Sequence, residues 1–165
     1  IRDSSETVEY SAQVARLFAD LSQRCGVLEK LSIYFLTPLE FSMSLVHAIR
    51  SMRSLRSFEP PLLHLPATVS DGGGEQDAAG ALWAALSQLP QLEKAVLRLS
   101  GVRAARLFVD AILAATGQPK TCDRLRSLRI HGGFKAGDAL GLAALRADLA
   151  AALPALCKCE FSAYL

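Results

Sequence analysis

The sequence has no apolar run long enough to cross a membrane, no large excess of charge and no leader at its start. Charged residues interrupt its longest apolar stretch within a few places, so no membrane-spanning helix is predicted. The formal net charge of +2 is too small to indicate nucleic-acid binding by itself. The chain begins at Ile1 without a basic and then apolar leader, and we expect it to be a fragment of a longer protein. Because half of its 165 residues are hydrophobic, we expect one folded domain with a substantial core.

The sequence also lacks the motifs of common enzyme sites. His47, His64 and His131 are its only histidines, and none has a carboxylate or cysteine at a metal-binding spacing. There is no Gly-x-Ser-x-Gly elbow. A glycine run at 72–74 is not followed by the lysine and Ser/Thr of a phosphate loop, so we interpret residues 67–77 as a flexible insertion. We therefore expect no enzyme activity, no cofactor and no metal, with a small α/β enzyme as an alternative.

What the sequence does contain is one apolar spacing that recurs at five places. A leucine is followed by apolar residues three and five places later, and it is preceded by another apolar residue three places before. These first leucines are Leu28, Leu55, Leu92, Leu125 and Leu156, separated by 27, 37, 33 and 31 residues. Each block is typical of a short strand followed by one helix, and such a unit buries its apolar face only by stacking on its neighbours. The spacing predicts an α/β fold over residues 1–165: a right-handed solenoid of about five βα units, with parallel strands on the concave face and helices on the convex face.

Local patterns predict where the elements lie. Helices are expected at 4–24, 77–89, 102–116 and 137–152, the last of these well covered because it is rich in alanine and leucine. Thr37-Pro38-Leu39-Glu40 has the pattern of a helix start, which predicts another helix from Pro38 to about Ser51 with Thr37 as its cap. Strands are expected at 28–35, 55–58, 94–100, 125–131 and 159–163.

Two blocks carry the recurring pattern most clearly. They are Arg24-Cys25-Gly-Val-Leu28-Glu-Lys-Leu31-Ser-Ile33 and Cys122-Asp-Arg-Leu125-Arg-Ser-Leu128-Arg-Ile130. Both resemble the L-x-x-L-x-L strand of the leucine-rich repeat family, and most of all its helix-containing, cysteine-bearing type, as in F-box substrate receptors and ribonuclease inhibitor. The resemblance implies a scaffold that binds other proteins. The family usually has Asn or Cys eight places after the first leucine. This chain contains no asparagine and has Leu36, Leu63, Ser100, Gly133 and Tyr164 at those places.

The four cysteines fit the same frame. Cys25 and Cys122 occupy the same place in their blocks, which indicates core thiols. Cys157 and Cys159 are too close together for the usual zinc spacing and are interpreted as small buried residues as well. We expect a reducing compartment, the cytoplasm or the nucleus.

Strand alternation predicts the candidate binding surface. If the leucine positions point into the core, the residues between them, including Val96, point to the open face of the sheet. The centre of this face is expected to be basic, and an acidic protein partner is expected there with arginine as the anchor. Nucleic acid is disfavoured because aromatic residues are sparse beyond Tyr34. The predicted partner-binding residues are Lys30, Tyr34, Lys94, Arg98, Arg129, His131, Lys158 and Glu160.

The function expected from these observations is a non-enzymatic protein-interaction module. Two alternatives remain open beside the small α/β enzyme. One is a solvated polar face without a ligand. The other is a structural spacer or cap of a larger receptor or ubiquitin-ligase substrate adaptor.

Overall fold

A computed structural model describes residues 4–24, 27–34, 38–70, 75–115, 123–132, 134, 137 and 139–162. Its five helices in the described ranges are α1 (Ser4–Arg24), α2 (Met43–Ser51), α3 (Ala78–Ser87), α4 (Val102–Ala114) and α5 (Ala139–Ala152). The strands described are β1 (Lys30–Ser32), β2 (Leu39–Glu40), β3 (Ser57–Glu59), β4 (Leu63–His64), β5 (Thr68–Ser70), β6 (Glu75–Asp77), β7 (Lys94–Arg98), β8 (Ser127–His131) and β9 (Lys158–Ser162).

The predicted α/β class with a mostly parallel central sheet is confirmed. Five strands pair in the order β1-β3-β7-β8-β9, and every pair is parallel. The order of these strands in the sheet is therefore the order of the five sequence blocks along the chain. Two short pairs lie outside this sheet: β2 with β4 in parallel, and β5 with β6 antiparallel.

Residues at the same place in the sequence blocks also pair with one another across the sheet. One inward row runs through Leu31, Phe58, Ala95, Leu128 and Cys159. A second row, two residues further on, joins Leu97, Ile130 and Phe161. The strands therefore pair in the register that aligns equivalent apolar positions of the sequence blocks.

The main chain repeats the same hydrogen bonds at each junction between blocks. The carbonyl of the residue after the first leucine accepts hydrogen bonds from two successive amides of the next block. These acceptors are Glu29, Arg56, Glu93 and Arg126, with N···O distances of 2.7–3.0 Å to the amides at 56/57, 93/94, 126/127 and 157/158. Before β3, β7 and β9, the first leucine's amide donates to the carbonyl three residues earlier, in the pairs Met52–Leu55, Leu89–Leu92 and Leu153–Leu156. Successive units are therefore joined by the same pattern of main-chain hydrogen bonds.

The core lies between the sheet and the helices. Inward strand residues and the buried side chains of the helices form one apolar cluster, and Phe18, Phe58 and Phe108 in it are fully buried. Each helix contacts the next in chain order from α1 to α5. Trp83 of α3 meets Phe108 of α4 edge to face, with ring centroids 6.2 Å apart, so it fills the groove between these helices.

The predicted helix start at Pro38 is wrong. Leu39–Glu40 is strand β2, and α2 begins only at Met43, with Ser42 as its N-cap. The Leu39 amide donates to the Leu62 carbonyl at 2.7 Å, and Leu39 is buried. Pairing with a distant segment and burial of Leu39 outweigh the local capping pattern. Thr37, its proposed cap, lies outside the described residues.

Within residues 67–77, interpreted as a flexible insertion, strands β5 and β6 pair with each other, and residues 71–74 lie outside the described part. The expectation for the last helix needs correction. Helix α5 is not well covered, because its alanines at 143, 144, 147, 150 and 151 are exposed, and among its side chains of described burial only Leu149 and Ala152 are buried. Alanine is the strongest helix former and has little apolar area, so an alanine-rich pattern predicts the helix but not its burial.

The two cysteines in the described ranges differ in burial. Cys157 is an exposed free thiol, which corrects its interpretation as a buried residue. Cys159 is half-buried in the inward row, and burial raises the pKa of its thiol despite the charge of Arg146. Cys25 and Cys122 lie outside the described residues.

Candidate functional site

The predicted binding residues lie on the side of the sheet that faces away from the core. Inward positions of β1, β3, β7 and β8 are buried, whereas the positions between them are exposed or half-buried apart from Val96. We call this surface the strand face. Its residues are Lys30, Ser32, Tyr34, Ser57, Glu59, Lys94, Val96, Arg98, Ser127, Arg129, His131, Lys158, Glu160 and Ser162. All eight predicted partner-binding residues belong to it.

Val96 differs from the expectation of an exposed position. It is only 3% exposed although it belongs to the strand face, and it is not part of the apolar cluster on the other side of the sheet. Arg129 pairs with it in register, and Arg98 follows two residues later on the same side of the strand. Long side chains around a short one exclude water from it, which alternation alone does not reveal.

Glu59 is the centre of one polar cluster on the strand face. Its Oε1 accepts a hydrogen bond from the Tyr34 hydroxyl at 2.6 Å and forms an ion pair with the Arg98 guanidinium. Its Oε2 accepts from the Ser32 hydroxyl at 3.1 Å. Arg98 also donates to the Pro60 carbonyl at 3.3 Å and stacks on Tyr34, with Cζ 4.4 Å from the ring centroid. These contacts join β1, β3 and β7 through side chains.

The electrostatics of this cluster favour the charged carboxylate. Only 16% of the Glu59 side chain and 22% of the Arg98 side chain are exposed. Desolvation by burial raises the pKa of Glu59, but the hydrogen bonds from Tyr34, Arg98 and Ser32 and the charge of Arg98 outweigh it, so its pKa is lowered. Glu59 is therefore held as an anion by the residues around it.

A second, more exposed cluster joins β8 and β9. Arg129 Nε donates to Glu160 Oε2 at 2.5 Å, and Lys158 Nζ lies 2.9 Å from Glu160 Oε1. The hydrogen bond from Lys158 lowers the pKa of Glu160, burial opposes this, and the bond and charge of Arg129 add to the lowering. Arg129 and Glu160 are paired in register, so their contact follows directly from the ladder.

Two Ser–His pairs lie near the carboxyl ends of the strands. His131 Nδ1 is 2.7 Å from the Ser162 hydroxyl, and His64 Nδ1 is 2.9 Å from the Ser100 hydroxyl. His47 is exposed on α2. Among the residues that the structure describes, no three His, Cys, Asp or Glu side chains gather as a metal site requires.

The positive charge of the strand face is carried by lysines rather than by arginines. Arg98 and Arg129 are each compensated by a carboxylate. Lys30 and Lys94 are exposed and form no ion pair with any residue of the described ranges, and Lys158 shares Glu160 with Arg129. Five basic side chains stand against two carboxylates on this surface, so positive charge is in excess.

These lysines form one row at the amino-terminal ends of the strands. Backbone pairing places Lys30, Ser57, Lys94, Ser127 and Lys158 side by side across five strands. We call these five residues the lysine row. Sequence reasoning identified its lysines but not their alternation with serine, because that depends on the register.

Sequence reasoning missed a charge ladder at the same edge of the sheet. The residues after the first leucines alternate in sign: Glu29, Arg56, Glu93 and Arg126. Arg56 binds Glu93 at 2.6 Å, and this hydrogen bond lowers the pKa of Glu93 and raises that of Arg56. Both side chains are well exposed. Comparing the blocks position by position is the signal that finds this ladder.

A shallow cavity of about 440 Å³ opens beside the ladder. Its lining includes Arg53 and Arg124, and Arg124 donates to Gln91 at 2.5 Å. The cavity also borders Glu29 and Arg56, so charges of both signs line it.

Comparisons with known proteins found no match to any family model, any curated protein or any solved structure. None of the described helices is both long enough and apolar enough to serve as a membrane span.

Proposed function

We propose that this chain is a leucine-rich-repeat-like, non-enzymatic interaction module that binds a protein partner through the strand face. The observation that carries the proposal is the combination of a pre-ordered polar surface with a lysine row in which Lys30 and Lys94 have no carboxylate partner among the described residues. Strands that follow chain order, helices that pack consecutively and one repeated set of junction hydrogen bonds support a right-handed βα solenoid, with this face concave.

The ion-pair clusters make the strand face suitable for binding. Glu59 and Glu160 hold Arg98, Tyr34 and Arg129 in fixed positions before any partner arrives. A surface whose side chains are already ordered loses less conformational entropy on association. We assign Arg98 and Arg129 to holding the surface in shape, in place of the anchor role expected from the sequence.

A protein fits this surface better than a nucleic acid. Single-stranded nucleic acids are bound by aromatic platforms on which bases stack. Tyr34 is 66% exposed, but the Arg98 guanidinium already covers one side of its ring. The lysine row instead offers flexible point charges, which suit carboxylates on a protein.

The test is quantitative affinity capture from cell extract with matched charge reversals. Lys94→Glu changes the centre of the strand face, and Arg103→Glu changes an exposed residue of α4 on the helical side. We expect Lys94→Glu to lose partners that the wild-type chain and Arg103→Glu both retain. Arg129→Glu is a poorer choice, because it would place two carboxylates together at Glu160.

Thermal unfolding monitored by circular dichroism checks that both variants are folded before their partners are compared. If the two variants retain the same proteins as the wild type, the strand face is a solvated surface or part of a structural spacer, and the proposal is wrong.

A further inference from the structure

We infer that the lysine row recognises an acidic, proline-rich segment in polyproline II conformation that crosses the strands and presents a carboxylate at every third residue. This inference rests on the proposed function and specifies the partner of the same face. It is carried by the register that places Lys30, Lys94 and Lys158 in one line with a serine between each pair.

The spacing of the lysines limits the conformation of the partner. Adjacent strands lie about 4.8 Å apart, so successive lysines of the row, two strands apart, are separated by about 9.6 Å. Polyproline II advances about 3.1 Å per residue and returns to the same side every three residues, after about 9.3 Å. An extended strand repeats its side-chain direction after about 6.7 Å, which does not match the row.

The serines between the lysines fit the same partner. Ser57 and Ser127 are half-buried, and their hydroxyls form no hydrogen bond with any side chain or carbonyl in the described ranges. Their short side chains leave space at backbone level between the long lysines. A polyproline II backbone makes no internal hydrogen bonds, so its carbonyls are free to accept from these hydroxyls.

Charge favours a carboxylate partner at this end of the strands. Lys30 and Lys94 have no anionic partner among the residues that the structure describes, and Lys158 shares the single carboxylate of Glu160 with Arg129. Glu93, the nearest carboxylate along the chain from Lys94, is already bound to Arg56 at 2.6 Å. Each exposed lysine contributes only a small free energy of binding to an ion pair. A rigid partner whose charges are already in position loses little conformational entropy on binding, so several such small contributions can suffice.

Fluorescence anisotropy with two peptides of identical composition tests this inference. The spaced peptide repeats Glu-Pro-Pro three times, and the clustered peptide places the three glutamates together before six prolines. We expect the spaced peptide to bind roughly tenfold more tightly at about 0.1 M salt, where the Debye length is about 10 Å, because only one clustered glutamate at a time lies on the side facing the row.

Matched variants locate the binding. Lys94→Gln should weaken the spaced peptide by roughly two- to fivefold, and replacing all three lysines by glutamine by roughly ten- to a hundredfold. The control replaces Arg16, Arg103 and Arg106, all exposed on helices, by glutamine and so removes the same charge. This control should leave the affinity within about twofold of the wild type, because charges beyond a Debye length are screened.

The remaining outcomes decide against the inference in distinguishable ways. Equal binding of both peptides, or equal weakening by both triple variants, would mean that only bulk charge matters. Tighter binding of an oligothymidine of equal charge would make the row a nucleic-acid surface. If neither peptide binds while capture from extract still depends on Lys94, the spacing inference fails and the proposed function stands; if that dependence is absent too, both fail.

Discussion

Glu59 is the residue that ties the first three strands of the sheet together through side chains. It accepts from Ser32, Tyr34 and Arg98, and its side chain is only 16% exposed. Hydrogen bonds to a charged group in such a place contribute more than those on an open surface. Arg56 and Glu93 offer a natural comparison, because they form the same type of pair in an exposed position.

Double-mutant cycles should separate these two pairs. Replacing Glu59 and Arg98 by alanine, singly and together, should give a coupling free energy of about 1–2 kcal/mol. The same cycle on Arg56 and Glu93 should give a clearly smaller value, because solvent screens that pair. Urea unfolding measures both. Equal coupling in the two cycles would mean that burial of Glu59 has no effect on the strength of its contacts.

The lowered pKa of Glu59 predicts a loss of stability in acid. A carboxyl whose pKa is lower in the folded state contributes stability that is present above its unfolded pKa, about 4.3. This contribution is lost as the pH falls through the folded pKa. The free energy of unfolding of Glu59→Gln should therefore fall less steeply below about pH 5 than that of the wild type.

The measurement is urea unfolding between pH 7 and pH 3. Glu9→Gln, an exposed change on α1, serves as the control. Parallel pH profiles of Glu59→Gln and the wild type would contradict the prediction.

The sequence could predict which face of each strand is buried but not the contacts on the other face. Alternation placed Leu128 and Ile130 inward and Arg129 outward, since period two is a local property. The pairing of Arg129 with Glu160 joins residues 31 positions apart and depends on register. Alternation also puts Glu59 on the open face, but its pairing with Arg98 is evident only with the strands in place.

At the scale of elements, the packing of β8 against α4 depends on a glycine that closes the strand. A Cβ built on Gly132 would lie 2.7 Å from the Cβ of Ala105 and 3.0 Å from Phe134 Cε2. Ala105 is fully buried on α4, so it has no space in which to move. The approach of helix to strand is therefore set by the absence of a side chain at this position.

Two opposite glycine-to-alanine changes test this packing. Gly132→Ala should destabilise the fold by about 1–3 kcal/mol through overpacking. Gly141→Ala, on an exposed part of α5 whose new Cβ has only Arg106 at 4.0 Å, should stabilise it by about 0.5–1 kcal/mol. Thermal and urea unfolding report both changes. A neutral Gly132→Ala would mean that α4 shifts freely relative to the sheet.

The boundaries of the helices show where tertiary contacts override local sequence patterns. Helix α3 begins where its sequence suggests, with Asp77 accepting from the Gly80 amide at 2.7 Å. The Thr37-Pro38 pattern failed because Leu39 pairs with β4 instead. Helix α4 begins at Val102. Its N-cap, Gly101, has a φ of 99°, which suits glycine, and it has no side chain that could cap the helix.

At the scale of the whole molecule, the order of the sheet sets a gradient of stability. Strands β7 and β8 pair on both sides, whereas β1 and β9 each pair on one side within the described residues. Amides at the sheet centre become exposed only when both neighbouring units open, so they are expected to belong to the most stable part of the fold.

Hydrogen exchange followed by mass spectrometry should reveal this gradient. We expect the peptides covering Lys94–Arg98 and Ser127–His131 to exchange slowest, and those covering Lys30–Ser32 and Lys158–Ser162 to exchange faster. Leu128 is buried in the inward row, so Leu128→Ala leaves a cavity in the core and should speed exchange in both β7 and β8. Uniform protection across all five strands would indicate a single cooperative unit instead.

The junctions between blocks have a consequence for how such a chain changes over evolutionary time. Each junction is made by one carbonyl and two amides, and no particular side chain is needed to form it. Substitutions can therefore accumulate at these positions while the backbone architecture is preserved. Sequence similarity between related chains is then lost sooner than structural similarity. For the same reason, a protein engineer who duplicated one whole block, residues 92–124, would give the copy both the carbonyl of Glu93 and the amides of Glu93 and Lys94, which form the junctions with the neighbouring blocks.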